Sequence, residues 1–509
     1  AKCIKASSKG FVFGSIKADP VSLDICPQGK GFIRENVSDP EGAVTLGSVH
    51  LPFTTGSTSG TLGLSNATVD WSAKGGLAMT ILAKTLDLPL TIGDRTLTID
   101  GDALRMGIAT GKGAPKLSAR LGATRFGGTL VPATVSADSF SFDGSSGQGG
   151  LSGALKANAV LIKDYRDDPL YQPLISDLSA TLTDGQLLMT GPLRLKAGGV
   201  TVADTTLNMD IIKLTGKAAI RSKPLQFRSG GLQPVMLSER LRGVFTFAEG
   251  DMSALADIDI DSGKLSGTGE VTVSSFGFQT TRLGRVTGID GHVHFSDLLA
   301  LTTDRGQVVT VGSMNIGVPL TDGHIEFHLI DGKIIGIETA YFPFAGGRVA
   351  ISPLEWTLGG DDQRVEVTAD GIELSDLVAV LKLPDVQASG TVSGRFPVDF
   401  VNNEVQVRDA RLSADENGGR IAYTGDAVDS AAESDPNAKL AFDALKDLQF
   451  SVLEVGLTGN LMDRTVASVH LLGKNTRPLA FGKKLTMPKG QAFGFNLTLD
   501  SQLGELGKS

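Results

Sequence analysis

Histidine and glutamate residues at alternating positions come nearest, in type and spacing, to a metal site. His292 and His294 lie two residues apart, and His324 and His328 share parity with Glu326. Alternate residues of a strand point to one side, and Zn²⁺ accepts imidazole and carboxylate ligands. The positions between them are apolar: Val293, Phe295, Ile325 and Phe327. We therefore expect these histidines to face solvent and predict no metal site.

The chain contains two cysteines, Cys3 and Cys26. Two cysteines close in sequence permit one local disulfide, which would indicate an oxidising compartment. The alternative is a pair of buried thiols. The sequence marks the pair as a possible disulfide and leaves both states open.

The sequence lacks the motifs that position a catalytic nucleophile or a nucleotide. It has no Gly-x-Ser-x-Gly, Gly-x-Gly-x-x-Gly or Walker-type stretch. The net charge of −9 does not favour nucleic acid, and two Trp and four Tyr are few for stacking on sugars. We expect neither an enzyme nor a cofactor nor a nucleic-acid partner.

Composition indicates strands and turns. The 509 residues include 64 Gly, aromatic residues make up 6%, and no apolar run is long enough for a transmembrane helix. Apolar and polar residues alternate from Val386 to Phe400, and a parity slip at Arg408-Asp409 is typical of a β-bulge. We predict an all-β chain with a few short helices, one capped by Ser375 and one at 443–448.

The alternation gives the sheet one apolar face, which must be kept from water by another layer, by the sheet itself or by a ligand. The few short helices cannot cover so many strands, and a sheet curled along its length would turn that face into an elongated hydrophobic groove. Each buried CH₂ of an acyl chain contributes about 0.8 kcal/mol, so such a groove suits lipid. The alternatives are a structural or adhesive β-solenoid and a multidomain β-sandwich binding protein.

Four segments of the C-terminal third resemble a known family. They are 338–358 (ETAYFPFAGGRVAISPLEWTL), 370–383 (DGIELSDLVAVLKL), 386–423 and 471–499 (LLGKNTRPLAFGKKLTMPKGQAFGFNLTL). Together they resemble the C-terminal region of the YdbH-type proteins, which belong with the AsmA-like and TamB-like envelope proteins of Gram-negative bacteria. We therefore divide the chain into 1–330, Gly-rich β-groove repeats, and 331–509, a YdbH-like domain.

The resemblance implies periplasmic transport of glycerophospholipid between two membranes. Family members carry an N-terminal inner-membrane helix, which we expect to precede this sequence. A small outer-membrane lipoprotein of the YnbE type is expected to add strands at the C-terminal edge, formed by Phe493, Phe495, Leu497, Leu499 and Asp500. The candidate groove-lining residues are Phe342, Phe344, Val386, Val392, Phe396, Val398, Phe400, Leu457, Leu461, Phe493, Phe495, Leu497 and Leu499.

Three lysines near the C-terminus, Lys483, Lys484 and Lys489, allow two interpretations. They either meet lipid headgroups or are solvated charges that protect a sheet edge from further pairing.

Overall fold

The computed structural model describes most of the chain. The described residues are 2–13, 16–29, 32–33, 40–56, 58–111, 113–131, 133–147, 150–280, 284–315, 318–358, 363–383, 385–401, 404–425, 436–460, 464–481 and 485–501. Thirty-five strands belong to one sheet and two more form a separate hairpin. The predicted class, all-β with a few short helices in a long antiparallel meander, is confirmed.

The residues group into two compact units, which are described separately. The first comprises Ala1–Leu225, Pro234–Arg242 and Ser253–Gly269, and the second comprises Gln226–Gln233, Gly243–Met252 and Glu270–Ser509. The boundary predicted at residue 330 falls inside the second unit and stays a prediction.

Seventeen antiparallel strands of the first unit follow one another in the chain. They are β1 (Ile4–Ser8), β2 (Phe11–Phe13), β3 (Ile16–Ala18), β4 (Val21–Pro27), β5 (Glu41–Thr55), β6 (Thr58–Ser72), β7 (Ala78–Ile92), β8 (Arg95–Gly111), β9 (Gly113–Leu121), β10 (Thr124–Gly127), β11 (Thr134–Ala137), β12 (Ser139–Gly147), β13 (Gly150–Lys163), β14 (Leu174–Thr183), β15 (Gln186–Leu195), β16 (Thr201–Asp210) and β17 (Thr215–Ser222). From β5 to β9 and from β12 to β17 each strand pairs with the next.

Residues 226–269 are assigned alternately to the second and the first unit, and three further strands lie in or next to this stretch. They are β18 (Leu225–Phe227), β19 (Thr246–Asp261) and β20 (Lys264–Thr280). The part of β19 that belongs to the first unit pairs with β17, from Gly216↔Ile260 to Arg221↔Leu255.

The second unit continues the antiparallel pattern. Its strands are β21 (Gly284–Asp297), β22 (Thr302–Thr303), β23 (Gln307–Asn315), β24 (Pro319–Ile330), β25 (Ile334–Phe344), β26 (Gly347–Ile351), β27 (Leu354–Thr357), β28 (Gln363–Glu373), β29 (Val386–Ser389), β30 (Thr391–Val401), β31 (Glu404–Ala414), β32 (Gly419–Tyr423), β33 (Leu448–Asn460), β34 (Thr465–Asn475), β35 (Leu479–Phe481), β36 (Leu485–Met487) and β37 (Ala492–Ser501).

The stretch 386–400 is two strands, so the prediction of one continuous strand is wrong. Gly390 breaks it with a φ of +109°. A Cβ there would lie 2.6 Å from the carbonyl oxygen of Gly418, so glycine allows both the left-handed backbone and the close approach. As a result β29 pairs with β32, whereas β30 pairs with β28 and β31. The bulge predicted at Arg408-Asp409 is confirmed by a register shift between Val407 and Ala410.

The described helices are short. They are α1 (Pro234–Leu237), the 3-10 turn Glu239–Leu241, α2 (Leu374–Val380) and α3 (Pro436–Leu445). Ser375 lies inside α2 and the cap is Glu373, so the predicted capping residue is wrong. The helix predicted at 443–448 is found earlier in the chain, as α3. No described helix has the length and apolar character needed to cross a membrane.

Candidate functional site

An unbroken row of apolar side chains crosses twelve neighbouring strands of the first unit. Each residue is the register partner of the next: Val44, Val69, Ile81, Met106, Ala119, Phe142, Leu155, Ala180, Met189, Leu207, Ala218 and Ile258. We call this set the first apolar row. Phe142 is buried and the other members are half-buried. At about 4.8 Å between strands, the row extends for about 50 Å along the sheet.

The opposite face of the same strands is mostly polar. Beside the row, Asn208 is the register partner of Lys217, and Lys217 is the partner of Asp259. The Nζ of Lys217 lies 3.2 Å from a carboxylate oxygen of Asp259, and both side chains are exposed. Because neighbouring residues in a strand face opposite sides, this difference follows from the period-2 alternation.

A second apolar row crosses eleven strands of the second unit. Its members are Ile289, Val311, Gly323, Phe342, Val349, Ala369, Gly394, Leu412, Val455, Val469 and Leu497. Gly323 and Phe342 are neighbours in the row through a close contact: a Cβ on Gly323 would lie 2.2 Å from the Phe342 ring. The row is buried at Phe342, half-buried at Leu412 and 40% exposed at Leu497. It is therefore most accessible at the last strand.

Several candidate groove residues belong to this row or pack beside it. Val398, Phe400 and Val407 belong to one buried cluster, with Phe396 and Leu457 half-buried against it. Phe342 is 3% exposed and belongs to a neighbouring cluster, against which Phe344 packs. Val386 is half-buried in β29. Leu461 lies outside the described residues.

At the start of β33 and on the adjoining strands, other elements of the chain cover the apolar face. Leu445 of α3 and Leu479 of β35 share a buried cluster with Val392, Leu471 and Phe495. The rings of Phe493 and Phe495 are stacked, with their centroids 6.3 Å apart. These residues are packed between layers, so α3 and the β35–β36 hairpin close the apolar face here.

β37 is the last described strand, and its described pairing is with β34 alone. Phe495 lies opposite Leu471, and Leu497 lies opposite Val469. The backbones of Leu499 and Asp500 continue the same register.

A cluster of phenylalanines in the second unit was not predicted from the sequence. Phe245 contacts Phe278 at 4.8 Å between ring centroids and Phe276 at 5.9 Å, and Phe227 contacts Phe276 at 5.6 Å. Phe276 and Phe278 alternate within β20, but their partners come from segments more than 30 residues away. The alternation in the sequence could therefore indicate only that Phe276 and Phe278 share a face.

The predicted exposure of the histidines is only partly right. His292 is exposed and His294 is half-buried, and their Nε2 and Nδ1 atoms lie 3.7 and 3.9 Å from carboxylate oxygens of Glu270. His328 is 8% exposed, and its Nδ1 lies 2.7 Å from a carboxylate oxygen of Glu338, so its expected exposure to solvent is wrong. The ring lies over Gly336, where the missing side chain leaves room. Among the described residues no group of three or more His, Cys, Asp or Glu could hold a metal.

Cys3 and Cys26 are joined by a disulfide bond. It lies next to the Ile4↔Ile25 pair of the β1–β4 ladder and closes the N-terminal strands of the first unit.

Two buried carboxylates of the second unit each bind two arginines. Asp399 accepts hydrogen bonds from Arg364 and lies 3.0 Å from Arg408. Asp447 accepts from the Nε of Arg420 at 2.5 Å and from the Nε of Arg477 at 3.0 Å. The hydrogen bond from Arg420, with further bonds from Thr476 and Arg477, outweighs burial and lowers the pKa of Asp447 to about 2. These ion pairs hold neighbouring segments together.

Each of the two units carries an apolar row that runs from strand to strand of an antiparallel sheet. The chain belongs to the YdbH-like family, described as intermembrane phospholipid transport protein YdbH, whose model matches residues 18–509. The family is one of transport proteins of the cell envelope and is not a known class of enzymes. The resemblance found in the C-terminal third is thereby confirmed and extends over most of the chain. Searches of curated proteins and of solved structures found no match.

Proposed function

We propose that this chain conducts glycerophospholipids between the inner and outer membranes by holding their acyl chains along the apolar rows. The observation that carries the proposal is the unbroken register of apolar residues across twelve strands of the first unit. An acyl chain gains about 0.8 kcal/mol for each CH₂ that it removes from water. Since each strand offers an equivalent contact, the chain can pass from one strand to the next with little change in free energy.

The half-burial of the first apolar row favours this function over a filled solenoid or a sandwich. In either alternative a second layer would bury the row, as α3 and the β35–β36 hairpin bury Leu471 and Phe495. Instead Met189 and Leu207 keep part of their surface accessible. We therefore assign the first row, and the second row towards Leu497, to the lipid path. The protein acts in the periplasm, and an N-terminal helix anchors the full-length protein in the inner membrane.

The C-terminal edge is the proposed attachment point for a small outer-membrane lipoprotein of the YnbE type. The described pairing of β37 is with β34, so its other edge offers backbone N–H and C=O groups to an added strand. A photo-crosslinking residue at Thr498 is expected to capture the lipoprotein, whereas one at Lys84, within the interior strand β7, is not. Equal capture at both positions would contradict this attachment.

Bound lipid is the direct test of the lipid path. Protein purified from cells is expected to retain phospholipid, measured by extraction and mass spectrometry. Leu207→Lys places a charge in the first row and should lower the retained phospholipid, because an ammonium group opposes an acyl chain. Asn208→Lys places the same charge on the polar face and should leave it unchanged. Retention that is equal in the two variants would refute the proposal.

A further inference from the structure

The last strands are strongly basic, although the whole chain is acidic. Residues 464–499 contain six basic residues and no Asp or Glu, whereas the chain has a net charge of −9. The six are Arg464, Lys474, Arg477, Lys483, Lys484 and Lys489. This asymmetry concentrates positive charge around β34 to β37.

Two arginines are fixed in place by one buried carboxylate. Arg420 and Arg477 each donate their Nε to Asp447, whose side chain is 9% exposed. The arginine side chains themselves are 59% and 66% exposed. Because the bond to Asp447 uses the inner nitrogen, the guanidinium planes are held in one orientation at the surface. An oriented guanidinium is well suited to phosphate oxygens.

Two lysines extend this patch. Arg420 is the register partner of Gln449, and Gln449 is the partner of Lys474, which places all three on one face of the sheet. Buried Asn475 donates to the carbonyl oxygens of Arg477 and Pro488, so the residue before Lys489 is held beside Arg477. Both lysines are exposed. We call Arg420, Lys474, Arg477 and Lys489 the basic surface.

An exposed apolar residue accompanies the basic surface. Leu472 is 39% exposed and lies two positions before Lys474, on the same face of β34. Basic side chains beside exposed leucine are typical of surfaces that bind the headgroup region of a bilayer. Glu454 lies on the same face of the sheet, and four cations against it and the carboxylate of Asp447 still give the surface a net positive charge.

We propose that the basic surface docks the last strands of this protein on an anionic phospholipid bilayer. This inference goes beyond the transport of lipid, since it concerns the charge on the polar face and not the apolar rows. For Lys489 the proposal corresponds to headgroup contact, and Lys483 and Lys484 lie outside the described residues.

The test is flotation of the full chain with vesicles. We expect binding to vesicles of phosphatidylcholine mixed with phosphatidylglycerol, and little binding to phosphatidylcholine alone. The double variant Lys474→Gln with Lys489→Gln should bind roughly 25-fold more weakly, since each basic residue near an anionic surface contributes about a fivefold gain. The matched control, Lys84→Gln with Lys156→Gln, replaces two exposed strand lysines of the first unit and should bind like the wild type.

Two outcomes would overturn the docking surface. One is equal binding of the wild type to neutral and anionic vesicles, and the other is an equal effect of the two double variants. Phospholipid that co-purifies with each variant is measured in parallel. Loss of docking with unchanged retained lipid separates this surface from the lipid path, and absence of retained lipid with intact docking refutes only the lipid path.

Discussion

Leu471 of β34 lies directly opposite Phe495 of β37, and the two side chains are 1% and 8% exposed. Their contact joins the last strand to the cluster that α3 and the β35–β36 hairpin cover. The next residue, Leu472, points to the other face and is 39% exposed. Two consecutive leucines thus have opposite environments.

The opposite environments of Leu471 and Leu472 predict that replacing each with alanine lowers the free energy of unfolding by very different amounts. Leu471→Ala removes buried methyl groups and should cost about 2–5 kcal/mol, whereas Leu472→Ala should cost about 0.5 kcal/mol or less. Thermal unfolding, together with hydrogen exchange of β34 and β37, measures both. Similar losses in the two variants would show that the last strand is not packed in this way.

The lowered pKa of Asp447 predicts that the folded protein loses stability in acid. Its pKa is lowered to about 2, chiefly by the hydrogen bond from Arg420, against an ordinary value of 3.8. A lowered pKa in the folded state means that the stabilisation is fully present above pH of about 4 and is lost as the pH falls towards 2. The loss should be on the order of 2 kcal/mol.

Asp447→Asn is the variant that tests the assignment. The amide cannot ionise, so the variant should be less stable at neutral pH and should lose less stability between pH of about 4 and 2. Asp259→Asn, at an exposed carboxylate of the first unit, serves as the control. An acid profile of Asp447→Asn identical to that of the wild type would contradict the role of this carboxylate.

The disulfide predicts local protection at the start of the chain. Cys3 and Cys26 are 23 residues apart, and closing a loop of that size contributes about 3 kcal/mol when the unfolded chain is flexible. Replacing both cysteines with serine should speed hydrogen exchange in Ile4–Ser8 and Val21–Pro27. Exchange in β33 and β34 should not change. Unaltered exchange throughout would show that the ladder of β1 and β4 does not depend on the bond.

Much of the apolar face was predictable because the alternation of apolar and polar residues is a pattern within each strand. Alternation identifies which residues of a strand share a side, and the bulge at Arg408-Asp409 was visible as a slip in parity. In a meander the next strand is usually the neighbour, so both rows follow from the alternation once the turns are correct.

The departures have non-local causes. The break at Gly390 depends on the approach of Gly418, and the burial of His328 depends on Gly336 and Glu338 in the next strand. The cover over Phe495 comes from α3 and a hairpin that the sequence pattern did not connect with this face. None of these contacts leaves a periodic trace in the sequence.

The central claim is that lipid lies along the first apolar row, and site-specific photo-crosslinking in living cells tests it most directly. Met189 belongs to the row, whereas its neighbour Leu188 is 51% exposed on the opposite face. A photo-reactive residue at position 189 should form adducts with phospholipid, and one at position 188 should form few, although both positions are natively apolar. Adducts of equal abundance at the two positions, or none at position 189, would contradict the account.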